Sequence, residues 1–242
     1  MDKKVQQSLK AALSGYKIGQ SGSIPSSYSL DDKDTAFYNK LVTIFSQGED
    51  FKQKMQLMDE AFDDEPAFEN LREFFFDLLL INFFQADAVR LEDDYLESPE
   101  WLKIEDDTID RGTELLNLFL YLHECDMEKI EPELSDYLKE FLLIEEEEFQ
   151  EELEIYEDVV ANQMLVESTY AEIAKTADRL EESAPLKDLF YVLMSFFNET
   201  DPGMTDLNDY LKQAANKPFD TAALFAILVY NYNLSELPVK IN

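Results

Sequence analysis

The chain has 242 residues, 45% of them apolar and 13% aromatic, with 53 acidic residues against 20 basic ones and a formal net charge of -33. So much Phe and Tyr excludes an acidic disordered chain, and the length suffices for a real core. The charge repels nucleic acid and anionic membranes and attracts cationic proteins.

The excess acid is uneven. Residues 1–30 hold four lysines and a single acid. Val5, Leu9, Ala12, Leu13 and Tyr16 share one helical face there, and "SGYKIGQSGSIPSSYSLDD" follows, rich in Ser and Gly. The reading is a basic N-terminal arm and flexible linker over 1–30, then an acidic all-helical domain over 31–242.

Beyond the linker, apolar residues recur with the 3.6-residue period. The spacing predicts helices near 34–47, 50–62, 66–86, 89–97, 107–125, 132–166, 168–182, 185–198, 205–215 and 220–233. Pro66, Pro99, Pro132, Pro185, Pro202 and Pro218 stand at or just before helix starts, where proline is tolerated. Strand alternation is not found. The fold class is all-α, either a multi-helix bundle or a short irregular helical-repeat array. An apolar helix followed by Asp-Tyr-Leu occurs at Asp94-Tyr95-Leu96, Asp136-Tyr137-Leu138 and Asp209-Tyr210-Leu211, and its unequal spacing weakens the repeat reading.

Three apolar runs are interrupted by polar residues: Asp77, Asn82 and Asn117. These are candidate buried polar groups, which must find partners or shift their pKa. Hydrogen bonding between helices or facing solvent is the plainer role.

The densest acid lies in "LLIEEEEFQEELEIYEDVV", Leu142 to Val160. Leu142, Phe149, Leu153, Tyr156 and Val160 form one helical stripe, with the carboxylates on the other faces. Glu145, Glu146, Glu147, Glu148, Glu151, Glu152, Glu154, Glu157 and Asp158 are therefore the candidate partner-binding residues; a solvated face is the plainer alternative.

Catalytic and metal motifs are scarce. The only histidine, His123, and the only cysteine, Cys125, are two residues apart, and on a helix such positions do not face each other. One His and one Cys exclude zinc sites and histidine-bearing di-metal sites. "NETDPGMTDLND", Asn198 to Asp209, has the Gly and final acid of a calcium loop, but Pro202 takes a ligand position. The better reading there is a loop whose Asp caps the next helix. No phosphate loop or nucleophile motif occurs. Neither metal nor cofactor is expected.

No export signal or run of about 18 apolar residues is present, so the expected setting is the cytoplasm. The leading function is a non-enzymatic module engaging a basic partner protein, of the immunity, inhibitor or nucleic-acid-mimic kind, with no nucleic-acid or membrane partner. The alternative is a helical-repeat scaffold that works through apolar grooves, to which self-association as a homo-oligomer belongs. A third reading is a carboxylate-dependent enzyme near Asp77, which a deep pocket with converging polar groups would favour.

Overall fold

The computed structural model describes residues 1–48, 50–86, 99–108, 111, 114–142 and 155–242. It is an all-α bundle. In chain order the helices are α1 (Lys3–Ser21), α2 (Asp32–Ser46), α3 (Phe51–Asp63), α4 (Arg72–Ala86), α5 (Pro99–Thr108), α6 (Glu114–Glu128), α7 (Leu134–Leu142), α8 (described over 155–161), α9 (Tyr170–Ala177), α10 (Phe190–Asn198), α11 (Met204–Gln213) and α12 (Lys217–Asn231). Short 3-10 helices at Pro66–Leu71 and Gln163–Glu167 precede α4 and α9.

The axis of the bundle is an antiparallel pair made of its first and last helices. Ser8 Oγ of α1 donates to the Ala226 carbonyl of α12 at 3.0 Å. Further along, Gly15 abuts Thr221 and Gly19 abuts Lys217. Small side chains at Ser8, Ala11, Ala12, Gly15 and Gly19 let the two backbones approach closely. Residues 220–230 of α12 are all buried, so the helix is covered on every side.

The expectation for residues 1–30 is corrected on this point. Four lysines and three glycines suggested a mobile arm and linker. Instead Val5, Leu9, Leu13 and Ile18 are fully buried, and burial of each such side chain contributes about 1.5–3 kcal/mol. Asp2 caps α1 by accepting Lys4 N–H at 2.7 Å and Val5 N–H at 3.1 Å. Lysine charge is met from the body: Lys4 pairs with Asp126 and Lys17 with buried Asp34, each at 3.0 Å. The segment read as linker is pinned too. Ser27–Tyr28 (β1) pairs in parallel with Lys240–Ile241 (β2).

Around the axis, α4 is buried from Phe74 to Phe83 and α10 from Phe190 to Phe196. Phe37, Phe62, Phe68 and Phe75 join α2, α3 and α4 through ring contacts of 5.2–5.5 Å. Acid does structural work at helix starts: Asp31 and Asp50 cap α2 and α3, and Thr169 with Glu172 forms a capping box on α9.

Several boundaries differ from expectation. Pro66 opens a 3-10 turn, and α4 itself starts at Arg72. A helix over Pro99–Thr108 stands where a break was read. The helix expected to run to 166 gives way to a turn at Asn162 and a 3-10 segment. Turns fill 185–189 before α10. The helix expected over 89–97 lies outside the described residues.

Two copies of the Asp-Tyr-Leu pattern are built alike. Tyr137 packs on Tyr121 of the preceding helix at 5.3 Å, and Tyr210 stacks on Tyr191 of its preceding helix at 4.8 Å. Their hydroxyl bonds differ: Tyr121 Oη donates to the Glu133 carbonyl, and Tyr191 Oη to that of Tyr210. Asp94-Tyr95-Leu96 falls outside the described residues.

Candidate functional site

Of the nine acids singled out, Glu145, Glu146, Glu147, Glu148, Glu151, Glu152 and Glu154 lie outside the described residues. Glu157 is exposed and Asp158 half-buried on α8. The inner face of α8 is Tyr156 and Val159, both buried, so Val159 rather than Val160 is the fully covered valine. The Tyr156 hydroxyl meets that of Tyr137 at 2.6 Å. α8 is thereby held to α7, with Glu157 facing water.

The three candidate buried polar residues separate. Asn82 is 1% exposed. Its Oδ1 accepts the Asp2 N–H at 2.9 Å and its Nδ2 donates to the Phe45 carbonyl at 3.4 Å, which joins α4 to the start of α1 and the end of α2. Asn117 is half-buried on α6. Asp77 is 3% exposed and lines a cleft of about 350 Å³.

That cleft lies between α4, the start of α6, the turn before α10 and the start of α12. Glu73, Asp77 and Asp188 contribute carboxylates and Asn70 an amide, while Phe74, Leu115, Leu189 and Phe219 form apolar walls. Asp77 reaches the cleft because it follows Glu73 and Phe74 by about one turn of the same helix.

The three carboxylates are not equivalent. Glu73 is held by Arg111, whose Nε and Nη2 donate to its two oxygens at 2.9 and 3.0 Å. Arg111 also pairs with Asp59 at 3.2 Å and lies 4.2 Å from the Phe76 ring centroid. Asp188 has no Lys or Arg partner among the described residues. Its neighbour Lys187 turns the other way, donating to the Ala177 and Leu180 carbonyls at 2.9 Å each. The cleft is therefore acidic where Asp188 lines it, and apolar along Phe74, Leu115, Leu189 and Phe219.

Other reactive groups are occupied. His123 Nδ1 lies 2.9 Å from Gln85 Nε2, and Gln85 also bonds Tyr230 Oη. Burial pushes the Cys125 thiol above its usual range, which suppresses thiolate chemistry. In the Asn198–Asp209 loop, Asp206 accepts the Gly203 N–H at 2.9 Å, so it caps α11 as expected. Among the described residues no group of three or more His, Cys, Asp or Glu is placed to hold a metal, and no helix is long and apolar enough to cross a membrane.

Sequence reasoning marked Asp77 through its interruption of an apolar run. It did not mark Glu73 or Asp188, since in a chain with 53 acids nothing local separates those two from the rest. Comparison with known proteins found no family model, curated protein or solved structure that matches the chain.

Proposed function

We propose that the protein is a non-enzymatic, acidic helical module of the cytoplasm that binds a cationic partner protein, in the manner of an inhibitor, an immunity protein or a nucleic-acid mimic. The observation that carries this reading, rather than that of a carboxylate-dependent enzyme, is that the Asp77 cleft has Glu73 bound to Arg111 and sets the exposed carboxylate of Asp188 beside the aromatic walls Phe74 and Phe219. A Lys or Arg side chain has the matching chemistry: an aliphatic stem for the apolar wall and a cationic head for the carboxylates and ring faces. The acids of residues 145–158 would add a long-range field that steers the partner in.

The test is affinity capture from host lysate with the whole chain as bait, at 50 and 500 mM salt. One dominant basic protein, held at low salt and released at high salt, supports the reading. Capture that ignores salt overturns it. With that partner in hand, Asp188→Asn weakens binding about tenfold, as loss of one close charge pair does, while neutralising residues 145–158 lowers the association rate.

A second observation favours the scaffold alternative. Met164 is 72% exposed beside a groove of about 340 Å³ lined by Pro132, Leu134, Val166 and Phe197. A scaffold working through this groove keeps its partner when residues 145–158 are neutralised and loses it with Met164→Asp.

A further inference from the structure

Behind the cleft, at the start of α12, lies a second ionisable group. Asp220 is buried, at 4% exposure. Its Oδ2 accepts the Asn216 N–H at 3.0 Å. Its backbone carbonyl accepts the Tyr210 hydroxyl at 2.9 Å, and the Tyr210 carbonyl accepts that of Tyr191 at 2.8 Å. This chain of bonds ties α10, α11 and α12 into one corner. The corner opens on the cleft through Phe219, the residue before Asp220, and through Asp188.

The charged and titratable surroundings are one-sided. The turn before α10 brings Asp188, whose field reaches Asp220. Tyr191 of α10, Tyr210 of α11 and Tyr170 of α9 are phenols held neutral chiefly by burial. Across the cleft α4 brings Glu73, already bound to Arg111, and Asp77. On α1, Gly15 and Gly19 meet the backbone of the α12 start, and Lys17 between them pairs with Asp34. Lys217, on the same helix, is half-buried. No Lys or Arg pairs with Asp220 among the described residues. Burial pushes the carboxyl up to about 7, the Asn216 N–H draws it down, and Asp188 adds to the rise. The positive end of the α12 dipole favours the ionised form, but it does not offset the loss of water.

We propose that Asp220, buried directly behind the Phe219 wall with no Lys or Arg paired to it among the described residues, is the group through which the cleft responds to pH, its charge adding behind that wall to the charge of Asp188 in the cleft. The cation-binding half of this proposal rests on the cleft reading given above. Entry of a cationic head favours ionised Asp220 and so releases a proton, and by linkage the cation binds more tightly as pH rises.

The sign for stability is the opposite. The folded pKa lies above the unfolded one, so the native state holds the extra proton between about pH 4 and 7. The stabilisation is complete below the unfolded value and is lost as pH rises through 7.

Two measurements on the whole chain separate the parts. The first is the thermal midpoint from pH 5 to 8.5. The wild type loses several degrees across neutrality. Asp220→Asn, which keeps the acceptor for Asn216, flattens that slope and is the more stable protein at pH 8. Should Asp220→Asn fold poorly, Asp188→Asn serves instead, since removing its charge moves the slope to lower pH. An unchanged slope in both variants, or a flat wild-type profile, overturns the proposal. The second is calorimetric titration with methylguanidinium, which binds the wild type about tenfold more tightly at pH 8 than at pH 6, with proton release, whereas Asp220→Asn shows no pH dependence. If methylguanidinium fails to bind at either pH while the stability slope follows Asp220, the cleft reading falls and the assignment of the proton stands.

Discussion

The backbone of Gly19 lies so close to that of Lys217 that a Cβ on Gly19 would stand 2.2 Å from the Lys217 carbonyl oxygen and 2.7 Å from its carbonyl carbon. Both partners are main chain, so no side chain can swing aside. In an open helix Gly→Ala gains up to about 1 kcal/mol. Here Gly19→Ala costs about 3 kcal/mol or more through overpacking, and Gly15→Ala, meeting the Thr221 oxygen at 2.6 Å, is also destabilising. Gly22 is the control. It ends α1 at φ 70° with open space around it, so Gly22→Ala costs about 1–2 kcal/mol of backbone strain alone. Urea unfolding of the three variants gives the order; a Gly19→Ala protein as stable as the wild type contradicts the close packing.

Asn82 yields a second comparison. Asn82→Ala leaves the part-buried Asp2 N–H without its acceptor and costs about 1–2 kcal/mol. Asn82→Asp keeps the acceptor but sets a carboxylate toward the Phe45 carbonyl, and it is the more damaging change at pH 7. Lowering the pH to 4 recovers part of the Asp variant's deficit and none of the Ala variant's. Unfolding at the two pH values reads this directly.

Arg111 is not replaceable by lysine. Its fork meets both Glu73 oxygens while its plane lies on Phe76. Arg111→Lys loses the two-bond geometry and the stacking, at a cost of about 1–2 kcal/mol. It also frees Glu73 at the mouth of the cleft, so the variant binds a cationic probe more tightly than the wild type does. Stability and probe affinity thus move in opposite directions, and a change in stability alone counts against a cleft governed by charge.

Cys125 reports on the integrity of α6. Its side chain is buried, and burial raises its pKa. A thiol reagent at pH 7 therefore modifies the native protein only through opening of the fold, slower than the unfolded chain by a large factor. Immediate reaction in native buffer would show that α6 is not packed as described.

Much of the helix pattern was legible because apolar period and proline position are local signals. Pro218, for one, stands in the first turn of α12 as its position suggests. What could not be read locally was partner choice. Gly15 and Gly19 look like breakers in a Lys-rich opening segment; their use depends on a helix at the other end of the chain, whose backbone needs the space a missing Cβ leaves. The cleft divides the same way. Asp77 stands out inside "FFFDLLL". Asp188 does not, because its distinction is that Lys187 turns its ammonium to the carbonyls after α9 instead of toward the cleft.

The pairing of α1 with α12 also sets a timetable for synthesis. Ser8 and Ala226, which bond across the axis, are 218 residues apart in sequence. At 5–20 residues per second, about 10–40 s separate the emergence of the two from a ribosome. Throughout that interval Leu9 and Leu13 have no α12 to cover them. Nascent chains arrested before Lys217 will carry α1 unprotected and be cut there by protease, while chains released beyond Asn231 will resist.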